Sequence, residues 1–175
     1  EITSISANSN GNVWTKVNFI PANNVYYEDD FITTETGTVG IEYTGTWTVD
    51  GTSGNNTESA NTEIHGGWKN ADLADDKTYS DGSAHTAKAG ATAVFTFTGT
   101  GVDVYSKTNM LTGSVKAQLY TGTEVKAAAL TKVYTIDNKA ASGDYYQIPT
   151  VSFKELEYGT YTVRLTVVNA GTETT

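Results

Sequence analysis

The chain contains no cysteine in 175 residues. That removes a disulfide framework, a thiolate metal site and a cysteine nucleophile together. Basic residues are scarce as well: 11 Lys and Arg face 20 Asp and Glu, for a formal net charge of −9, and Arg164 is the sole arginine. Nucleic acid binding needs clustered cations to neutralise phosphates, so nucleic acid is not expected as a partner. An anionic membrane surface is disfavoured for the same reason. No apolar run approaches the roughly 20 residues of a spanning helix, so no membrane insertion is expected. There are two histidines and no Gly-x-Ser-x-Gly elbow, which leaves no recognisable nucleophile constellation. Paired carboxylates can hydrolyse glycosides at about 5–10 Å separation, but nothing in the spacing brings such a pair together. An enzyme is therefore not expected.

What the chain does have is Thr, Gly, Asn and Ser, beside a hydrophobic fraction of 38%. Its length suits one domain, which at this size buries roughly 70% of its unfolded surface and needs no staples. The clearest organising stretch is Ala89–Tyr105, AGATAVFTFTGTGVDVY. Ala93, Phe95, Phe97 and Gly99 fall on one face, and Val94, Thr96 and Thr98 on the other. Gly99-Thr100-Gly101 then leads into Val102–Tyr105, and the whole reads as a core hairpin. Ile41, Tyr43, Gly45, Trp47 and Val49 likewise line one face of a single strand, which makes Trp47 a core residue. Val13–Ile20 and Val25–Ile32 read as further strands, the second with acidic residues at its centre.

Toward the C-terminus, Val115, Ala117 and Leu119 alternate, as do Tyr161, Val163, Leu165 and Val167. Tyr145–Phe153 is extended, and Pro149 marks an edge or a bulge. Glu124–Thr131 fits a helical turn or a strand, and propensity does not choose. The pattern predicts an all-β fold, an antiparallel β-sandwich or jelly roll of about nine strands. Residues 1–12 read as a linker or entry strand, 13–169 as the domain and 170–175 as an exit linker. The abrupt polar ends suggest a monomeric module of a longer chain with flanking domains.

One irregularity stands out. Residues 50–87 have almost no periodicity, and a connection longer than about 15 residues is uncommon inside a compact domain unless it is functional or disordered. It holds His65-Gly-Gly-Trp68-Lys69-Asn70 and Tyr79. Trp68 has no periodic core partner there. It either offers an indole face to solvent or folds back to anchor its own loop. Asp72, Asp75 and Asp76 form an acidic cluster in the same stretch, and Asn55-Asn-Thr is a formal glycosylation sequon.

Tyr43-x-Gly45-x-Trp47, Tyr79-Ser-Asp-Gly-Ser with His85, the Ala89–Tyr105 stretch and Leu156–Val167 together resemble the galactose-binding-like jelly-roll modules. The resemblance covers roughly residues 25–168. The chain departs from the family in having Thr121-Gly122-Thr123 where members often carry an Asp-Gly hairpin, and in its enlarged loop. It implies a non-catalytic carbohydrate-binding module, extracellular or on a bacterial cell surface, whose partner is a polysaccharide or oligosaccharide, with a glucan such as starch favoured. The rival reading is a structural spacer or adhesin domain without a sugar ligand.

Sugar recognition needs an aromatic face for the C–H side of a pyranose and polar groups for its hydroxyls. Trp68 leads on that criterion, with His65, Lys69, Asn70, Trp14 and Tyr79 beside it. One ring of each pair Tyr26-Tyr27 and Tyr145-Tyr146 points outward and extends a platform, while His85 reads as a loop hydrogen-bonder. Glu28-x-Asp30 resembles the acidic pair with which several carbohydrate-binding jelly rolls hold a structural Ca²⁺, and oxygen-only ligands suit that hard cation.

Overall fold

A computed structural model describes residues 2–7, 13–17, 27, 29, 31–33, 37, 40–51 and 83–169. Two antiparallel sheets pack face to face. The larger has five strands and the order β3-β6-β11-β8-β9, from β3 (Ile41–Thr44), β6 (Thr92–Gly99), β11 (Gly159–Asn169), β8 (Ser114–Thr121) and β9 (Leu130–Asp137). Opposite it lie β7 (Val102–Thr108) and β10 (Tyr145–Phe153), paired antiparallel. Two smaller ribbons complete the set. β1 (Ile2–Ala7) pairs β2 (Val13–Val17), so an entry strand occupies part of 1–12. β4 (Trp47–Gly51) pairs β5 (Ser83–Ala87).

The residues that the pattern turns inward along β6, β8 and β11 supply much of the core, although each strand also buries a neighbour on its other face: Thr92 beside Ala93, Tyr120 beside Leu119 and Thr162 beside Val163. Ala117, Leu119, Val151, Phe153 and Val163 form the buried centre, with Phe95, Phe97, Val102, Val104, Tyr161 and Leu165 packed against it. Each large apolar side chain removed from water here stabilises the fold by about 1.5–3 kcal/mol. Among the described residues β10 pairs with β7 alone, and its register slips between Pro149 and Val151. Proline donates no ladder hydrogen bond and is tolerated there. Glu124–Thr131 contains both of its readings: a 3-10 turn at Ala127–Ala129, then β9 from Leu130.

Three expectations need correcting. First, β6 and β7 do not form a hairpin: β6 pairs β3 and β11, whereas β7 pairs β10 in the opposite sheet. The turn at Gly99-Thr100-Gly101 is an arch between layers, and Phe95, Phe97, Val102 and Val104 all pack against the same buried cluster. Thr100 O accepts the Leu156 N–H at 2.9 Å. A Cβ on Gly101 would sit 2.7 Å from Phe153 O, which closes that position to any side chain.

Second, Ile41–Val49 is two strands. Gly45 adopts φ +97°, and a Cβ there would lie 3.0 Å from Ala91 Cα. That backbone bends as only glycine does without strain, and Trp47 leaves the sandwich with β4. Third, the irregular stretch is shorter than 50–87, because Asp50, Gly51 and Ser83–Ala87 are paired strand.

Within the predicted strand Val25–Ile32, Ile32 makes an isolated parallel bridge to Ile41. The outer face of the large sheet is also drier than its threonines suggest. Thr162 is fully buried there, with its hydroxyl 3.0 Å from that of Thr96 and donating to Gly122 O at 2.8 Å. A buried hydroxyl without such partners would be costly.

Candidate functional site

The bend at Gly45 sets up the one aromatic cluster, among the described residues, that combines polar partners with a position outside the main core. In the β4–β5 ribbon Trp47 lies opposite Ala87 and Val49 opposite His85. Directly opposed residues share a face, so one side of the ribbon carries Trp47, Val49, His85 and Ala87. The other carries Thr48 and Thr86, whose hydroxyls lie 2.9 Å apart, together with Asp50 and Ala84. The two faces of this narrow ribbon therefore differ completely in character.

Tyr43, near the end of β3, completes the apolar side. Its ring stacks on His85 with centroids 4.2 Å apart and planes 6° from parallel. Trp47 meets Tyr43 edge to face at 4.9 Å and 61°. It stands at 60° to the imidazole, 6.4 Å away. Edge-to-face and offset contacts suit the ring quadrupoles.

All three rings are fixed by polar bonds. Asp29 Oδ2 lies 2.6 Å from His85 Nδ1, and both side chains are more than four-fifths buried. The carbonyl of Asp29 accepts the Tyr43 hydroxyl at 2.8 Å. The Trp47 indole N–H donates to Thr44 O at 3.1 Å. A carboxylate acceptor makes the imidazole bond a strong one. Trp47 itself stays partly exposed, Val49 is 48% exposed, and Tyr27, stacked on Phe31 at 5.2 Å, is 51% exposed.

The expected sites fare unevenly. Trp68, His65, Lys69, Asn70 and Tyr79 lie outside the described residues, as do Glu28, Asp30, Tyr26 and the acidic residues at 72, 75 and 76. Trp14 lies in β2 opposite Ser6, and its side chain is outside the described set. Trp47 is not a residue of the main core, which corrects the reading of it as one; the bend at Gly45 takes it out of the inward stripe. His85 does hydrogen-bond, as expected, but from a strand and not a loop. Asp29, between the Glu28 and Asp30 that suggested Ca²⁺, is described, and its carboxylate is engaged by His85. No three His, Cys, Asp or Glu side chains converge as a metal site among the described residues. Tyr145 is 50% exposed, whereas Tyr146 is partly buried with Lys107 Nζ 5.3 Å from its ring centroid.

A second polar cluster escaped the sequence reading. Asn109, 5% exposed, accepts the N–H groups of Leu111 and Thr112 at 2.8 Å each, and its amide donates to Asp144 at 2.9 Å. Thr112 Oγ1 donates to Asn138 O at 2.6 Å. These bonds staple the β7–β8 turn to the β9–β10 loop, which is a structural task. An Asn three residues before a Thr is a turn signal, but its distant partners are not local.

No family model matches this chain, and no curated protein matches it.

Proposed function

We propose that this domain is a non-catalytic, extracellular carbohydrate-binding module of a larger surface protein, and that Trp47 with Tyr43 and His85 forms its sugar-contacting surface. The observation that carries the reading is the partly exposed indole of Trp47, outside the main core and braced by hydrogen-bonded rings. An aromatic face of this kind takes the C–H side of a pyranose, and fixed rings lose little entropy on binding. The imidazole and phenol nearby are suitable partners for sugar hydroxyls. Residues 52–82, with Trp68, His65, Lys69, Asn70 and Tyr79, connect β4 to β5 and so join the chain at the end of the same ribbon.

A shallow site implies a Kd of about 1 μM to 1 mM, with sibling modules adding avidity. A starch-like glucan is the first ligand to try. A structural Ca²⁺ at Glu28 and Asp30 belongs to the same proposal, since a ligand of the native state must raise its melting temperature.

One observation favours the rival, a spacer or adhesin domain. The Trp47 N–H is satisfied by Thr44 O, and its ring packs on Tyr43, as an anchor of the ribbon would. Retention on insoluble polysaccharides separates the readings, with wild type run beside Trp47→Ala and Trp68→Ala. Retention lost in Trp47→Ala supports the binding surface. Retention kept by that variant removes Trp47 from it, and no retention of wild type on any polysaccharide favours the spacer.

A further inference from the structure

We propose that the outer edge of β9 pairs with β9 of a second copy of this chain, antiparallel and about a two-fold axis, so that two five-stranded sheets join into one. The pairing is independent of the sugar reading. β9 lies at one end of the large sheet and, among the described residues, pairs with β8 alone. An unpaired strand edge is a row of N–H and C=O groups that another strand can complete.

Two other edges are obstructed. Beside β3, Phe31 O accepts the Ile41 N–H at 2.8 Å and Ile41 O accepts the Thr33 N–H at 2.9 Å. β10 slips register twice, carries Pro149, and has the N–H and carbonyl of Ser152 engaged by the Tyr134 hydroxyl. The ladder of β9 is regular from Lys132 to Asp137, and Leu130–Asp137 contains neither glycine nor proline. Val133, near its middle, is 50% exposed. Lys132 and Asp137 cancel, so this strand is neutral in a chain of net charge −9. Two copies that meet here bring no net charge together at the contact.

The strand's own sequence selects the register. Opposed side chains of an antiparallel pair share a face, so the two-fold axis passes through a residue and not between two. Tyr134 and Ile136 pack toward the buried centre, which turns Val133 and Thr135 outward. An axis at Thr135 would set Val133 opposite the charged Asp137 of the second copy. An axis at Tyr134 sets Val133 opposite Thr135 of the second copy, both β-branched, and Lys132 opposite Ile136. No charge then meets a like charge. A strand pair is a narrow contact, in the class below about 1,200 Å² that marks weak and transient association. The domain is therefore monomeric when dilute and paired when concentrated.

Sedimentation velocity over about 10 μM to 1 mM, the range of weak complexes, reads the association. The expected result is a shift from monomer to dimer as concentration rises. Val133→Lys with Thr135→Lys, both at exposed positions, sets lysine against lysine and should weaken pairing by about tenfold. Val133→Glu with Thr135→Glu should weaken it likewise. An equimolar mixture of these two double variants should recover the association, which misfolded variants could not do. Disulfide formation reads the register, since the chain has no cysteine of its own. Val133→Cys mixed with Thr135→Cys should cross-link faster than either variant alone. A domain that stays monomeric throughout, charge variants that associate as wild type does, a mixture that does not recover, or mixed thiols that link no faster than single ones would each overturn the proposal.

Discussion

Tyr134 meets Phe153 edge to face at 5.2 Å and 62°, and Tyr43 meets Trp47 at 4.9 Å and 61°. The ring geometry is nearly the same in the two places, but the surroundings differ. Phe153 is 1% exposed and lies between the sheets with Leu119, Val151 and Val163. The Tyr134 hydroxyl beside it accepts the Ser152 N–H and donates to the Ser152 carbonyl, each at 2.9 Å, which covers an edge of β10. Trp47 sits on a two-stranded ribbon beyond that core, with half-exposed Val49 opposite His85 on the same face. An aromatic pair is therefore not informative by itself. What lies behind the rings separates a contact inside the core from one on a ribbon that water reaches.

The contrast is broken most sharply by truncation. Phe153→Ala should lose about 3–5 kcal/mol of stability in denaturant titration, since it opens a cavity between the sheets. Trp47→Ala should cost clearly less, because water already reaches its site. Equal losses would place both rings in one structural role. Gly45→Val comes next, at about 1–3 kcal/mol. A β-branched residue must adopt φ +97° and meet Ala91, which would unseat the ribbon without touching the core. Its circular dichroism should keep the sandwich signal.

Tyr134→Phe should cost about 0.5–1.5 kcal/mol, the range for a hydrogen bond that water can partly replace. The smallest effect belongs to Lys126→Gln. Lys126 hydrogen-bonds the exposed Glu124 and holds its carboxyl below the usual value, first through that bond and then through its charge. A carboxyl with a lowered folded-state pKa contributes at pH above its unfolded value, and the contribution fades as pH falls through the folded one. For so exposed a pair no change in the unfolding midpoint is expected at neutral pH. A clear shift would mean that the turn before β9 carries more of the stability than its exposure suggests.

The sandwich was legible because period-two alternation is a local signal. Phe95 and Phe97 in β6, Leu119 in β8 and Val163 in β11 each mark the inward face without knowledge of a partner. Partner choice was not legible. The turn at Gly99–Gly101 suits a hairpin locally, and only the pairing of its two strands in different sheets, both packed on one buried cluster, makes it an arch. Gly45 fits the stripe as one more member, although a glycine inside a strand is also a signal of a bend. β5 was missed because Ala84, His85 and Ala87 carry little apolar pattern, and β4, its partner, lies across residues 52–82. The cluster of Trp47, Tyr43 and His85 depends on the last two of those facts, and Trp68, the indole that the sequence singles out, lies outside the described residues.

The chain has three tryptophans, so its nitrogen-15 spectrum should contain three indole N–H signals, assignable by single Trp→Phe substitutions. Titration with an oligosaccharide that the domain binds should move the Trp47 signal progressively and saturably, with the same midpoint as calorimetry. A Trp47 signal that stays fixed while the protein saturates would contradict the claim that the ribbon's indole is where the sugar rests.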